Sequence, residues 1–325
     1  MLLAGCQTAP PRPNLELLRR SQPLLGTFVT ISVYASGRTR ANAAIDSAFD
    51  EFRRVDASMS IHRADSELSQ LNARAAFQPV DVSPDLFRVI AKSQEISRET
   101  VGAFDVTVRP LADLWGFTWK EYRMATETEL KAVLPSVDYR FVELDPDRRT
   151  VRFKSSGVSI DLGGIAKGFA VDRAIERLRV LGITNAMVKA GGDLRVIGTP
   201  PGRHHWIIQL EDPRKEGRRQ AIPLRDAALS TSGNYENFFE VCGKRYSHIL
   251  NPLTGLPVEG LAACTVIAPT CMESDAWATA FFVHGVKQSL AEFGQRFSIR
   301  FTLVPERSTS KEWPVRQSPS FPGLL

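Results

Sequence analysis

The apolar residues of this chain change period repeatedly, from two to 3.6 and back, without settling into regular strand–helix–strand alternation. That pattern constrains the fold more than any other feature. Residues 26–34, GTFVTISVY, alternate with β-branched side chains and predict a strand. Residues 41–58 then place Ala44, Ile45, Ala48, Phe49, Phe52 and Val55 at helical spacing. A second helix is expected over 85–99 after the start signal Ser83-Pro84, and a hairpin over 141–154 around Asp145-Pro146-Asp147. A strand over 158–161 is expected to run into Gly163-Gly164, followed by a helix over 166–181 that ends at Gly182. Further strands are predicted near 186–189, 194–197, 206–210, 238–241, 265–268 and 299–303, with a helix over 273–283. The fold class is therefore α+β: mixed or antiparallel sheets with packed helices. No internal repeat is found. Residues 21–308 are read as one domain, preceded by a tether over 1–20 and followed by a polar, Pro-containing surface strap over 309–325.

Composition excludes several classes. At 43% apolar and 24% charged, the chain is neither disordered nor collagen-like, and no apolar run reaches the roughly 18 residues that span a bilayer. The net charge of +5 is mild and fits an anionic ligand or an ordinary basic surface equally. Cys6, Cys242, Cys264 and Cys271 form no CxxC, and the histidines form no HExxH, so zinc-ribbon, thioredoxin-type and zincin chemistry are unsupported. GxSxG and GxxxxGK[ST] are both missing. Cys264, in an apolar run, is expected to be a buried small hydrophobe. Leu2-Leu3-Ala4-Gly5-Cys6 resembles a bacterial lipobox, and the prolines at 10, 11 and 13 suit a tether. Too few apolar residues precede Cys6 for a full secretory signal, so either the gene starts upstream or the resemblance is chance. The expectation is a lipid anchor at Cys6 and a place on the periplasmic face of the bacterial inner membrane.

Four segments carry polar chemistry. In Gly102-Ala103-Phe104-Asp105, the carboxylate either bonds a ring edge while Phe104 packs on its face, or sits in a plain turn. Asp161-Leu162-Gly163-Gly164-Ile165-Ala166-Lys167-Gly168 reads as strand, glycine turn and helix start, where amides and Lys167 suit an anion; a tight structural turn is the alternative. Lys167 opposes the helix dipole there, so a negative charge must compensate. Gly191-Gly192-Asp193 is a weaker turn of the same kind. His248, in Ser247-His248-Ile249-Leu250-Asn251-Pro252 and beyond Ser230-Thr231-Ser232-Gly233, is a general base for a hydroxyl or a structural hydrogen-bonder. Asp275 and Thr279 share a helix face and suit Mg²⁺, unless Asp275 merely favours the helix start.

Taken in order, GTF, GAFD, DLGGIAKG, GGD, STSGNY, SHILNP and ESDAWATA resemble the FAD:protein FMN transferases, the ApbE family of flavin transferases. The likeness runs from about Leu24 to Val304. It implies a T-fold-like α+β enzyme, periplasmic or membrane-anchored, that uses Mg²⁺ and moves the FMN half of FAD onto a threonine of a partner protein, releasing AMP. Partners of this kind are subunits of membrane redox complexes and other flavinylated extracytoplasmic proteins. By position, Ala103, Phe104, Asp105, Asp161 and Lys167 would contact FAD with Leu250 nearby. The carbonyl of Gly164 with Asp275 and Thr279 would hold the metal, and His248 would be the base. Leu25 stands where the family usually has Met, and His62, in Met59-Ser60-Ile61-His62, where it often has Tyr; both bear on how the flavin or adenine packs. Two other readings keep the ligand: a metal-dependent FAD pyrophosphatase releasing FMN and AMP, and a non-catalytic FAD-binding lipoprotein. The partners' acceptor pattern is roughly Ser/Asp-Gly-small-Ser/Thr-x-Ala/Ser-Ser/Thr. Ser36-Gly37-Arg38-Thr39-Arg40-Ala41-Asn42 comes nearest within this chain and fails at Arg38 and Asn42, so the acceptor is expected to be a separate chain.

Overall fold

The computed structural model describes residues 15–211, 213, 219–305 and 313–325. Cys6 and the prolines after it, on which the lipid anchor and tether rest, lie outside the described residues. The strands are β1 (Glu16–Leu24), β2 (Thr27–Ala35), β3 (Val80–Asp81), β4 (Val142–Asp145), β5 (Thr150–Phe153), β6 (Asn185–Ala190), β7 (Asp193–Ile197) and β8 (Trp206–Glu211). They continue as β9 (Arg219–Leu224), β10 (Ala228–Gly233), β11 (Phe238–Val241), β12 (Lys244–Ser247), β13 (Leu261–Ala268), β14 (Ser298–Leu303) and β15 (Val315–Gln317). The helices are α1 (Arg38–Met59), α2 (Glu67–Arg74), α3 (Pro84–Glu99), α4 (Arg109–Leu114), α5 (Glu127–Val133), α6 (Ala166–Val180), α7 (Cys271–His284) and α8 (Val286–Phe293).

Among the described residues, eight strands form one sheet in the order β1-β2-β6-β7-β10-β13-β14-β15, and every pairing in it is antiparallel. The expected α+β class is what this sheet and its helices make. Alternation decides the faces. Val29, Ile31 and Val33 of β2 and Ala186, Val188 and Ala190 of β6 are fully buried on one face. Helices α1, α6 and α7 cover that face. Helix α1 buries the predicted stripe, Ala44, Ile45, Ala48, Phe49 and Phe52. Helix α7 is apolar nearly all round and lies innermost, with Ala276, Trp277, Phe281 and Phe282 buried. Cys264 is fully buried, as expected. Helix α6 ends in a Schellman motif: the amide of Ile183 bonds Leu178 O, that of Gly182 bonds Arg179 O, and Gly182 takes φ 78°.

Where α6 crosses α7, a glycine permits the contact. A Cβ on Gly168 would lie 2.2 Å from the carbonyl oxygen of Cys271 and 2.8 Å from Cβ of Asp275. Gly168→Ala is therefore expected to cost about 1–3 kcal/mol through overpacking. Urea unfolding should show a lower midpoint with an unchanged slope; an unchanged midpoint would mean the helices are not held this close.

Three sequence expectations need correction. The chain enters the sheet at Glu16, inside the stretch read as tether; β1 is a half-exposed edge strand with Arg19, Arg20 and Pro23, so its alternation is weak. Residues 158–161 are extended but pair with no strand; the side-chain amide of Asn72 bonds both Ile160 N (2.8 Å) and Ile160 O (2.9 Å), imitating a neighbouring strand. The described part of the strap, 313–325, does more than lie on the surface: β15 pairs with β14 and Phe321 is buried. Phe321 joins a second core in which Trp206, Ile208, Ile222 and Leu224 of the β8–β9 hairpin cover Leu194, Val196 and Leu229 on the sheet's outer face. A third cluster, Leu111, Trp115, Phe117 and Leu250, packs against Phe239 and Tyr246 of the β11–β12 hairpin and stiffens one wall of the site.

Candidate functional site

A cavity of about 590 Å³ opens beside the β1–β2 turn, the β6–β7 turn and the end of β10. Its volume suits a drug-sized ligand. Every position carried over from the motifs lines it: Leu25, His62, Ala103, Phe104, Asp105, Asp161, Gly164, Lys167, His248, Leu250, Asp275 and Thr279. The topology brings these distant segments together.

The elbow before α6 is held from both sides. The amide of Asp161 donates to Val106 O (2.8 Å), and Asp161 Oδ1 accepts from the amide of Gly163 (2.7 Å). Burial raises the Asp161 carboxyl above the usual range, against the Gly163 bond and nearby Arg109. The amides of Ile165 and Ala166 both donate to Leu162 O, and the amide of Gly168 to Asp275 Oδ2 (2.9 Å). This corrects the expectation that loop amides bind the anion, since most of them already have protein acceptors. The positive group that faces the cavity here is the side chain of Lys167.

Lys167 Nζ donates to Gly163 O (3.0 Å) and lies 3.5 Å from Asp193 Oδ2 and 3.9 Å from Asp275 Oδ1. Burial works against its charge, but Asp275 and Asp193 outweigh that and hold the ammonium above the ordinary lysine range. The negative charge required beside this dipole-opposed lysine is thus supplied by the protein. Asp193 is 3% exposed and was passed over in the weak Gly-Gly-Asp turn. A signal did exist: the alternation of β7 puts Asp193 and Arg195 on the helix-covered face, where a charge needs a partner. Arg195 has one in Asp172 (2.7 Å), whose carboxylate also accepts the Cys271 and Met272 amides at the start of α7.

Asp275 is 3% exposed, and burial first, then Asp193, pushes its carboxyl up to about 7. Thr279 Oγ1 lies 3.1 Å from Ser232 Oγ. A Cβ on Gly164 would stand 3.4 Å from Thr279 Oγ1 and 3.4 Å from the ring of Phe104, so the glycine backbone faces this donor pair closely. Two buried carboxylates sharing one ammonium leave an excess of negative charge beside hydroxyl and carbonyl oxygens. That donor set fits a hard divalent cation such as Mg²⁺. Among the described residues no group of three or more His, Cys, Asp or Glu side chains is placed to hold a metal ion, here or elsewhere, so a cation at this site would rest on two carboxylates with hydroxyl and carbonyl oxygens.

His248 follows β12, and its backbone amide and its Nδ1 both lie 3.0 Å from Asn237 O. With Nδ1–H donating there, Nε2 keeps its lone pair. Burial lowers the imidazole to about 4, opposed by the Asn237 carbonyl and aided by Lys167, so the ring is neutral near pH 7. Asn237, which sequence reasoning missed, is itself fixed by the hydroxyl of Tyr122 (2.8 Å).

Asp105 does not present a free carboxylate. Its Oδ1 accepts from Thr107 N (2.8 Å) and Thr107 Oγ1 (2.6 Å), and its Oδ2 from Tyr139 N (2.7 Å). Burial still pushes it up to about 6 against those bonds. Phe104 and Ala103 are buried beside it. His62 meets Trp119 edge-on at 5.3 Å. Leu25 and Gly26 form the two-residue β1–β2 loop with φ 51° and 69°. A leucine in the left-handed region costs about 1–2 kcal/mol, strain of the kind that collects at binding sites.

A neutral imidazole, a paired lysine and a cluster of oxygen atoms line one cavity, an arrangement suited to acid–base chemistry on an anionic ligand. The model of the ApbE family matches residues 25–299. The FAD:protein FMN transferase of Haemophilus influenzae is 35% identical, with 93% of this chain and 89% of the relative covered. That of Vibrio cholerae is 34% identical, covering 90% and 87%. Among solved structures, the ApbE protein of Thermotoga maritima superposes with TM-score 0.86 at 31% identity, over 94% of this chain and 97% of that one. The flavin transferase ApbE of Vibrio cholerae gives 0.84 at 30%, over 94% and 98%. The chain belongs to the ApbE family.

Proposed function

We propose that the chain transfers the FMN half of FAD to a threonine of a separate acceptor protein, with Mg²⁺ required and AMP released. The observation that carries this reading is the meeting, in one cavity, of a histidine kept neutral with the Lys167–Asp193–Asp275 cluster. A store or carrier of FAD needs no such base. The names of the relatives support the same substrate and the same kind of acceptor.

Ala103, Phe104, Leu250, Leu25 and His62 offer apolar and aromatic surface to the flavin and adenine rings. Asp105 and Asp161 hold the loops around them. Lys167 offers its ammonium to the diphosphate, and the carbonyl of Gly164, Asp275 and Thr279 would hold the cation. Bound there, Mg²⁺ supplies charge neutralisation at the diphosphate. Nε2 of His248 takes the proton of the acceptor hydroxyl. The hydroxyl oxygen forms a bond to the FMN-side phosphorus, the bond from that phosphorus to the bridging oxygen breaks, and AMP leaves with the electron pair. Most of the rate then comes from positioning and charge stabilisation.

The test is incubation with FAD and Mg²⁺, with and without a peptide containing Ser-Gly-Ala-Thr-Ala-Ala-Thr. FMN on the peptide with one AMP released per transfer is expected. Free FMN and AMP at the same rate without the peptide, and no labelled peptide, would make the chain a pyrophosphatase instead.

A further inference from the structure

The outer face of the main sheet is built in two rows. In one, Leu229 pairs with Leu194 and Ile267, and the β8–β9 hairpin covers them. Two residues further along the strands the same face turns polar: Thr231 pairs with Thr265, Thr265 with Arg300, and on the neighbouring strands Thr30 with Lys189. A sheet face meant for an internal core carries apolar side chains. This polar row instead floors a second cavity of about 310 Å³. Thr231 and Thr265 bond each other (2.9 Å), and the ammonium of Lys189 reaches the field of Glu236, whose carboxyl burial raises and Lys189 helps to lower.

The second cavity runs into the first. Thr27, Gly191, Gly192, Thr231 and Glu236 line both. The sill between them at the β6–β7 turn is bare backbone. A Cβ on Gly191 would stand 2.9 Å from Thr27 Oγ1, and one on Gly192 would stand 2.8 Å from Thr231 O. On the rim, Phe28 is 71% exposed.

We infer that this trough binds the acceptor polypeptide as an extended segment and leads its hydroxyl over the glycine sill to the flavin cavity. The inference rests on the transferase reading above. FAD occupies the first cavity, so the attacking residue must come through a contiguous opening, and this one is contiguous. The floor offers threonine hydroxyls and the ammonium of Lys189, with Glu236 at the junction and Ile208, Leu210 and Trp313 on the walls: partners for the amides, carbonyls and small side chains of a peptide. Phe28 gives the incoming chain an apolar foothold of the kind enriched at interfaces.

Lys189→Glu and Thr302→Arg, both on the trough and outside the flavin cavity, test this in the full chain. The probe is the Ser-Gly-Ala-Thr-Ala-Ala-Thr peptide. Each variant should raise the KM for peptide about tenfold, the effect of losing one good polar contact. FAD affinity, read from flavin fluorescence, and kcat at saturating peptide should stay within about twofold of the parent by the same scale. Unchanged peptide KM in both variants, or FAD affinity falling in step with it, overturns the inference. If the unaltered chain transfers no FMN, the transferase reading fails and the trough is judged separately. With Phe28 replaced by p-benzoylphenylalanine, photocapture of the peptide supports the docking site, and no capture rejects it.

Discussion

Replacing His248 with alanine is expected to slow FMN transfer by roughly 10²–10⁴-fold, the usual contribution of a positioned general base. FAD affinity should hardly change. The acceptor hydroxyl is a poor nucleophile while it keeps its proton, and His248 is prepared to take it: Nδ1 is committed to the Asn237 carbonyl and burial keeps the ring neutral. The substitution leaves the backbone in place, because the amide of residue 248 still donates to Asn237 O. The pH profile adds a second readout. With the imidazole lowered to about 4, its proton is lost well below neutrality, so with Mg²⁺ kept saturating at every pH this group should leave the parent's rate flat from about pH 5 to 8. The alanine variant loses that plateau and accelerates as hydroxide rises. Stopped-flow or quenched transfer assays across that range, beside fluorescence titration of FAD, decide the matter. A variant that transfers at the parent rate would remove His248 from the chemistry.

Much of this site is legible in the sequence because its residues are type-restricted. A glycine is needed where a side chain would strike the Cys271 carbonyl, and a carboxylate and hydroxyl four apart on a helix share one face. The motif order therefore gathers the cavity-lining positions before any coordinates are known. What stays hidden is what neighbours supply. Asn72 stands in for a missing strand beside Ile160 from 88 residues away in the chain, and no local pattern announces it. The use of elbow amides by Leu162 and Asp275 depends on how α6 meets α7. Asp193 was masked by its glycines, although its strand alternation pointed inward. Strand β1 was obscured for the opposite reason: an edge strand buries too little to alternate cleanly, and its Arg and Pro are what keeps such an edge from pairing further. The polar row on the outer face is readable only once register puts Thr30, Thr231 and Thr265 on that side.

The other large effect is expected at Asp275, and it should separate function from stability. Asp275→Asn keeps an oxygen for the Gly168 amide but removes the negative charge that would hold the cation. Transfer should fall by roughly 10²-fold or more, the loss of several kcal/mol of charge stabilisation, and raising Mg²⁺ should recover little of it. Stability should move the other way. The folded-state carboxyl is raised from 3.8 to about 7, because it is buried beside Asp193. The native protein therefore binds more protons than the unfolded chain between those values, and stability falls as pH rises through that window. Below about pH 4 the parent escapes this cost; above about pH 7 it bears all of it. The amide has no proton to lose, so the metal-free variant should unfold at a higher temperature than the metal-free parent at pH 8, with the gap closing towards pH 4. The same titration governs the ion. A proton on Asp275 competes with Mg²⁺, so apparent affinity should rise about tenfold per pH unit below 7 and level off above it, with a proton released on binding. Calorimetry at pH 6.5 in two buffers of different ionisation enthalpy measures that proton. Identical heats in both buffers, or a variant that melts below its parent at pH 8, would show that Asp275 is already ionised and satisfied by Lys167 alone.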